Sequence, residues 1–173
     1  MHIALFGNQA FAMLNFRGSL IRALVAGGLR VSAFAPDYDD ASRQAIWMLG
    51  AEPVDHEFTR TGLNPLRELV SFVRLVKKLK AIKPDLTLAF TIKPVVYGTA
   101  AAWIVGVPRR FAMIKGLGHV FMESSTARGR ALKLVGSTLY KFALAKATRT
   151  FFLNVDDKAD FVNGGLISSE KQT

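Results

Sequence analysis

The sequence contains no cysteine, which excludes disulfide bonds and thiolate chemistry and is compatible with a reducing compartment. Its three histidines, His2, His56 and His119, are scattered and lack the spacing of a metal site. It also has no G-x-G-x-x-G motif, no P-loop, no Ser/His/Asp arrangement and no pair of carboxylates in one strand-end loop. An enzyme with this sequence is therefore expected to act by positioning and electrostatics rather than by covalent chemistry.

Long apolar runs are missing as well. The long uncharged run between Lys93 and Arg109 is interrupted by glycines and prolines and falls short of the roughly 20 residues that span a bilayer. The first sixteen residues have no basic start and are broken by Gly7, Asn8 and Gln9, so no secretory signal is expected. We predict a soluble protein that would contact a membrane only at its surface.

Acidic residues are scarce: 13 of them face 23 lysines and arginines, which gives a net charge of +10. This excess predicts attraction to anions, namely phosphorylated ligands, nucleic acid or an anionic membrane. Half of the residues are hydrophobic and 21% are charged, which excludes disorder. A chain of 173 residues is expected to form one domain.

Short apolar segments alternate with helical patterns along the whole chain. The predicted strands are Ile3–Phe6, Val31–Ala35, Pro53–His56, Leu86–Phe90, Arg110–Ile114 and Thr150–Leu153. The predicted helices are Ser19–Ala26, Ala41–Leu49, Pro65–Ile82, Val95–Val105 and Arg128–Ala147, with a final helix capped by the segment Asn154–Asp157. This alternation indicates an α/β fold, a Rossmann-like doubly wound parallel sheet with helices on both faces.

Ligands of such sheets bind where the strands end, so the polar groups that follow each strand are the candidate site. Lys115, Gly116 and Gly118 follow the fifth strand and suit an anion, and His119 beside them is the candidate for proton transfer or hydrogen bonding. Thr91 and Lys93 follow the fourth strand and suit a phosphate. The remaining candidates are Arg60 after the third strand and, in the loop that we expect after the first, Asn8, Gln9, Asn15 and Arg17.

Two helices carry much of the positive charge. Each combines an apolar stripe, expected to face the core, with basic residues beside it. The stripe of Pro65–Ile82 is Leu66, Leu69, Val70, Val73 and Val76, and that of Arg128–Ala147 includes Val135, Leu139 and Phe142. The basic residues Arg67, Arg74, Lys78, Arg130, Lys133 and Lys141 form either a solvated face or a platform for anionic lipid headgroups.

Several segments together resemble the N-terminal domain of family-4 glycosyltransferases, in the branch that builds bacterial surface polysaccharides such as lipopolysaccharide or capsule and lipid-linked oligosaccharides. They are ALFGNQAFAMLNFRGSLIRAL, VSAFAP, VPRRFAMIKGLGHVF, FFLNVDDKADFV and the long block TRTGLNPLRELVSFVRLVKKLKAIKPDLTLAFTIKPVVYGTAAA. The stretch from Thr61 to Phe121 is the most specific part.

The resemblance implies one half of a GT-B architecture, in which residues 1–163 form the acceptor-binding domain and 164–173 begin the linker to an absent donor domain. It implies sugar transfer from a nucleotide-sugar to a lipid-linked or polysaccharide acceptor, with retention and without a metal or other cofactor. Relatives carry a functional histidine directly after the fifth strand, where this chain has Lys115 and Gly116, and His119 comes later. The expected location is the inner face of the cytoplasmic membrane, and the isolated domain is expected to be inactive.

Two alternatives remain open at this point. A sugar-nucleotide epimerase shares the two-domain plan, although no strand-end loop here combines acidic and basic groups for proton abstraction. A non-catalytic basic module would bind anionic lipid or nucleic acid, but no helix-turn-helix, zinc-finger or RNA-binding motif is present, so nucleic acid is not expected as a partner.

Overall fold

A computed structural model describes residues 1–58, 64–115 and 126–167, with side chains at all of these except 127–129 and 131–133. Its strands form one parallel sheet in the order β3-β2-β1-β4-β5-β6, which is the order of a Rossmann-like fold and confirms the predicted class. The strands are β1 (His2–Phe6), β2 (Arg30–Ala35), β3 (Glu52–Asp55), β4 (Leu86–Phe90), β5 (Arg109–Ile114) and β6 (Arg149–Phe152). All six lie within one or two residues of the predicted segments.

Helices cover both faces of the sheet. The helices are α1 (Ala10–Ala26), α2 (Asp40–Met48), α3 (Pro65–Ile82), α4 (Thr99–Ile104), α5 (Ala127–Lys146) and α6 (Val155–Asn163). Met13 and Ile21 of α1 and Ile46 of α2 belong to the core on one face. The core on the other face contains buried residues of α3 to α6, among them Leu75, Ala101, Leu144 and Phe161. The first two helices thus oppose a layer formed by the later ones.

The start of α1 differs from the prediction. We expected a loop up to Ser19, but the helix begins at Ala10 and runs through Asn15 and Gly18 without a break. Gly18 is buried, and a Cβ there would lie 3.7 Å from Leu49, so this glycine faces the end of α2 instead of interrupting the helix. The loop after β1 is consequently reduced to Gly7–Gln9, and Asn15 and Arg17 are helical.

The predicted apolar stripes of α3 and α5 are mostly exposed, although Val76 of the α3 stripe packs against the core. In α3 the buried residues are Ser71, Leu75 and Leu79, whereas Leu66 and Leu69 are 73% and 60% exposed. The other exposed members of the two predicted stripes are Val70, Val73, Val135, Leu139 and Phe142. Both helices carry a second set of apolar side chains that fills the core, and periodicity alone does not tell the two sets apart. The prediction was wrong, and the layer of α3 to α5 presents apolar surface to solvent.

The segment between β4 and β5 begins with a π-helical turn, Pro94–Gly98, before the regular helix α4. Pro94 lies at the start of this turn, where a missing N–H costs no helical hydrogen bond. A Cβ at Gly98 would lie 3.2 Å from the Phe6 ring, so this glycine lets the turn approach β1 closely. Wide turns of this kind are frequent at functional sites, and this one lies directly after the carboxyl end of β4.

Candidate functional site

The candidate site is the carboxyl edge of the sheet. β4 is hydrogen-bonded to β1 on one side and to β5 on the other, all in parallel. The segments Gly7–Gln9, Thr91–Lys93 and Lys115 therefore follow three adjacent strands at one edge, as predicted. The predicted residues Arg60, Gly116, Gly118 and His119, and the side chain of Lys133, lie outside the described residues.

The loop after β1 leaves two amide side chains uncommitted. Asn8 and Gln9 are half-buried, and neither side chain hydrogen-bonds to the described part of the chain. Gln9 occupies the N-cap of α1, but the cap is supplied by Asp37, whose Oδ1 accepts from the Ala10 N–H at 2.6 Å. The Asp37 carboxylate thus occupies the N-terminus of α1, the position at which Rossmann-like folds often bind phosphate.

A buried histidine ties two walls of this edge together. His56 Nε2 lies 2.8 Å from the Gly7 carbonyl, and its Nδ1 accepts from the Phe58 N–H at 3.2 Å. These partners require the proton on Nε2 and a lone pair on Nδ1, which is the neutral ring. Burial lowers the pKa of His56, in agreement with that state. The role of His56 is to hold the loop after β1 against the segment after β3.

Two cations stand close together at the ends of β4 and β5. The Arg17 guanidinium carbon lies 4.2 Å from the centre of the Phe90 ring, and Lys115 Nζ lies 5.4 Å from the Phe16 ring. Burial lowers the pKa of Arg17, and burial together with the Arg17 charge lowers the pKa of Lys115. Arg17 therefore reaches the predicted edge, but from the middle of α1 and not from a loop.

Lys93 is paired, in contrast to these two. Its Nζ lies 2.8 Å from Glu68 Oε1, and the two side chains are only 20% and 15% exposed. Tyr97, whose ring stacks on Phe58 with centroids 4.3 Å apart, has its pKa raised by burial and by the neighbouring Glu68 charge. Part of the Lys93 charge is therefore balanced within the protein. The site at this point offers an ammonium–carboxylate pair beside a phenol.

Thr91 has an unusual backbone and an unsatisfied hydroxyl. Its φ is +70°, a left-handed conformation that a β-branched residue rarely adopts. Its Oγ1 is buried without a hydrogen-bond partner among the described residues. Strain and unpaired polar atoms of this kind are concentrated at functional sites, and both occur here at the residue that follows β4.

The remaining predicted residues are distributed over helix surfaces. The Asn15 amide donates to the Phe11 carbonyl at 2.9 Å on the exposed side of α1. Arg74 pairs with Glu57 at 2.5 Å, and Lys78 donates to the Asp55 carbonyl at 2.5 Å, so both tie α3 to the end of β3. The other cations named for α3 and α5 that the structure describes, Arg67, Arg130 and Lys141, are exposed.

Asp37, His56, Phe90 and Glu68 contribute to this edge but were not among the predicted residues. The first two follow β2 and β3, so the rule that sites lie at strand ends was sufficient to find them. Glu68 lies in the first turn of α3, and only the tertiary structure brings it to Lys93. In the part of the chain that the structure describes, no three His, Cys, Asp or Glu side chains are grouped as metal ligands. No described helix is long and apolar enough to cross a bilayer.

The solved structures that share this fold include two with bound nucleotide or nucleotide-sugar. HepE from Anabaena in complex with UDP and glucose matches 100% of this chain and 43% of its own, with a TM-score of 0.65 at 15% identity. The UDP-GlcNAc 2-epimerase from Neisseria meningitidis bound to UDP-GlcNAc matches 99% of this chain and 46% of its own, with a TM-score of 0.63 at 12% identity. At such identities the likeness shows the fold alone, a Rossmann-like α/β unit.

Sequence comparison is more specific. A curated relative from Campylobacter jejuni, N,N'-diacetylbacillosaminyl-diphospho-undecaprenol alpha-1,3-N-acetylgalactosaminyltransferase, is 29% identical over 167 residues. The match covers 96% of this chain but 43% of that enzyme, so the chain spans less than half of its relative's length. The model of the glycosyl transferase 4-like family matches residues 2–154. The chain therefore belongs to the glycosyl transferase 4-like family.

Proposed function

We propose that this chain is the acceptor-binding half of a retaining glycosyltransferase. The complete enzyme transfers a sugar from a nucleotide-sugar to a hydroxyl of a lipid-linked or polysaccharide acceptor. The observation that carries the proposal is the family match over residues 2–154, which includes all six strands and the helices α1 to α5. The Campylobacter relative, whose name describes a diphospho-undecaprenol-linked acceptor, supports the lipid-linked class.

The proposed chemistry needs no covalent intermediate with the protein. The uncommitted amides of Asn8 and Gln9 orient acceptor hydroxyls, and the cations Arg17 and Lys115 stabilise negative charge. The pair Lys93–Glu68 fixes the geometry at the end of β4. Arg60, Gly116, Gly118 and His119 stay in the proposal as predicted substrate contacts. The nucleotide-sugar is a cosubstrate, and no resident metal or cofactor is invoked.

The test is sugar transfer by the chain joined to its downstream coding sequence, with labelled UDP-sugars and a polyprenyl-diphosphate-linked saccharide. We expect label in the lipid fraction, dependent on both substrates. Incubation without acceptor is the control for the epimerase alternative, which would convert the UDP-sugar to its epimer. Epimer formation without any transfer would show that the proposed reaction is wrong.

We also propose that the layer of α3 to α5 lies against the cytoplasmic face of the membrane. Leu66, Leu69, Val70 and Val73 make an exposed apolar stripe on α3, with Arg67 within it. On α5, exposed Leu134, Val135 and Leu139 lie on the same helix as Lys141. Apolar side chains bordered by basic ones suit an anionic interface. This surface places the start of α3, and with it the carboxyl edge, near lipid-anchored acceptors.

Vesicle sedimentation tests the membrane surface. The double substitution Leu66→Gln with Leu69→Gln should weaken binding to phosphatidylglycerol vesicles at least tenfold, because each buried leucine contributes about 1.5–3 kcal/mol. Met48→Gln is the matched control, since Met48 is exposed on α2 across the sheet. Arg67→Glu should also weaken vesicle binding. The loss should be larger at low salt than at high salt, because salt screens the attraction between charges. Equal binding of the double variant and the Met48 control would remove this surface from the proposal.

A further inference from the structure

Among the residues that the structure describes, Arg17 and Lys115 have no acidic partner. Four ion pairs occur in the described part of the chain, and in each an arginine or lysine meets a carboxylate: Arg30–Glu52, Arg43–Asp55, Arg74–Glu57 and Lys93–Glu68. Neither Arg17 nor Lys115 belongs to this set, although both lie at the same sheet edge and the Arg17 charge lowers the pKa of Lys115. Two like charges held together disfavour each other unless an anion lies between them.

The surroundings hold the two cations ready for such an anion. The Arg17 guanidinium lies over the Phe90 ring, and one of its N–H groups donates to the Phe16 carbonyl at 2.9 Å. The remaining N–H groups have no partner among the described residues and suit the fork geometry of a phosphate. Lys115 adds an exposed ammonium next to the Phe16 ring. The two positive charges can thus neutralise one phosphate group and part of the negative charge of a second.

Apolar surface adjoins the pair on one side. Phe11 and Phe16 of α1 are 65% and 59% exposed, and their rings meet edge to face with centroids 6.2 Å apart. A nucleotide base lying there would need polar groups for its edges. Asn15, an exposed amide on α1, already directs one N–H to the Phe11 carbonyl. A hydrocarbon chain, in contrast, needs only apolar contact, which the two phenylalanine rings provide. The arrangement favours a diphosphate with an apolar chain attached directly to it.

We propose that Arg17 and Lys115 bind the diphosphate of an isoprenoid-linked acceptor, and that Phe11 and Phe16 cover the first isoprene units. This assignment rests on the proposed glycosyltransferase function and names the part of the acceptor that the site holds. The acceptor sugar then extends from the diphosphate along the carboxyl edge toward Asn8, Gln9 and the end of β4.

Binding to the 173-residue chain tests the proposal. Farnesyl diphosphate, UDP and inorganic pyrophosphate are titrated at low salt and followed by calorimetry. We expect farnesyl diphosphate to bind most tightly. Arg17→Gln and Lys115→Gln should each weaken it about tenfold or more, the loss expected for one charge-assisted hydrogen bond. Arg22→Gln, an exposed cation on the same helix, is the matched control and should leave binding unchanged.

The apolar half of the site is tested separately. Phe11→Ser should weaken the binding of farnesyl diphosphate but not of pyrophosphate, because only the former has a chain for the ring to cover and, among the described residues, Phe11 contacts neither cation. Tighter binding of UDP than of farnesyl diphosphate would overturn the assignment in favour of a donor nucleotide. Equal affinity for the Arg17→Gln, Lys115→Gln and Arg22→Gln proteins would overturn it altogether.

Sugar transfer by the longer enzyme separates this inference from the proposed function. If transfer occurs and the variants Arg17→Gln and Lys115→Gln leave the acceptor KM unchanged, the diphosphate assignment fails and the transferase stands. If no transfer occurs with any donor while farnesyl diphosphate still binds through Arg17 and Lys115, the transferase fails and the diphosphate site stands. We expect a raised acceptor KM in both variants and an unchanged donor KM.

Discussion

Thr91 and Thr150 share an unpaired buried hydroxyl but lie in different parts of the fold. Each has a buried hydroxyl oxygen without a hydrogen-bond partner in the described structure, but Thr91 follows β4 at the carboxyl edge and Thr150 lies within β6. A buried unpaired polar group destabilises a protein by about 1–3 kcal/mol. Only at Thr91 does the left-handed φ of +70° add backbone strain. Comparing the two positions therefore separates the effect of an unpaired hydroxyl on stability from its effect on activity at the candidate site.

Replacing either threonine by valine should raise the free energy of unfolding by about 1 kcal/mol, measured by urea denaturation. The effect on sugar transfer should differ. Thr91→Val should lower it about tenfold in the complete enzyme, because its hydroxyl finds a partner only with substrate bound. Thr150→Val should leave transfer unchanged. Identical transfer rates for the two variants would mean that the Thr91 hydroxyl has no functional partner.

His56 provides a pH-dependent prediction. Its pKa is lowered in the folded protein by burial, whereas the unfolded chain has a value of about 6.5. The folded state thus binds fewer protons, so its contribution is complete above pH 6.5 and is lost as the pH falls below that value. Protonated Nδ1 would also face the Phe58 N–H instead of accepting from it.

We expect His56→Gln to lower the free energy of unfolding by about 1–3 kcal/mol at pH 7.5, where both hydrogen bonds of the ring are made. The gap between the wild-type protein and this variant should narrow at pH 5.5. His2→Gln is a second case of the same effect: burial lowers the pKa of His2 as well, and its ring bonds Ser32, so its stability gap should also narrow at low pH. A gap that is constant with pH would contradict the neutral, two-bonded ring.

At the scale of residues, sequence reasoning located the charges but not their partners. Arg17 and Lys115 were identified because they follow strands or fall in the segment after β1. Their stacking on Phe90 and Phe16 depends on how α1 crosses the end of β4, which periodicity does not report. The same limit explains Lys93, whose Glu68 partner is 25 residues away in the chain.

At the scale of elements, the N-terminus of α1 shows how a neighbouring loop completes a helix. Gln9 at the N-cap makes no side-chain capping bond, and Asp37 from the segment after β2 accepts from the Ala10 N–H instead. The negative charge of Asp37 also suits the positive end of the helix. The cap therefore links the first two strand ends and positions the short loop Gly7–Gln9.

Asp37→Ala should cost about 1 kcal/mol of folding free energy, the usual value of a lost N-cap. Gln9→Ala should cost little, because that side chain has no capping bond to lose. Chemical denaturation of the two variants compares them directly. A larger loss for the Gln9 variant would show that the helix is capped from its own N-cap residue after all.

The elements themselves followed closely from the sequence, with instructive exceptions. Strand positions were predictable because buried parallel strands are short apolar runs between turn residues. The beginning of α1 was missed because Asn15 and Gly18 resemble loop residues, although Gly18 serves a close contact with α2. The packing faces of α3 and α5 were missed because each helix has two apolar stripes, and only the sheet decides which one is buried.

At the scale of the whole molecule, the proposed function makes the chain one wall of a cleft. It spans less than half of the Campylobacter relative, and its polar carboxyl edge is the part that a second domain would face. Under the proposed function, the 173-residue chain alone should show no transfer with any UDP-sugar, because the donor site lies outside it. Transfer above background by this chain, in an assay with labelled donor and lipid-linked acceptor, would contradict that division of labour.

The central claim is that the acceptor binds at the carboxyl edge of the sheet. Photo-crosslinking with a diazirine-bearing isoprenoid diphosphate saccharide, followed by peptide mapping, tests it most directly. We predict labelled peptides from residues 7–17, from 91–93 and around Lys115. Label concentrated at the opposite edge, in the turns at 27–30, 83–85 and 106–109, would contradict the account.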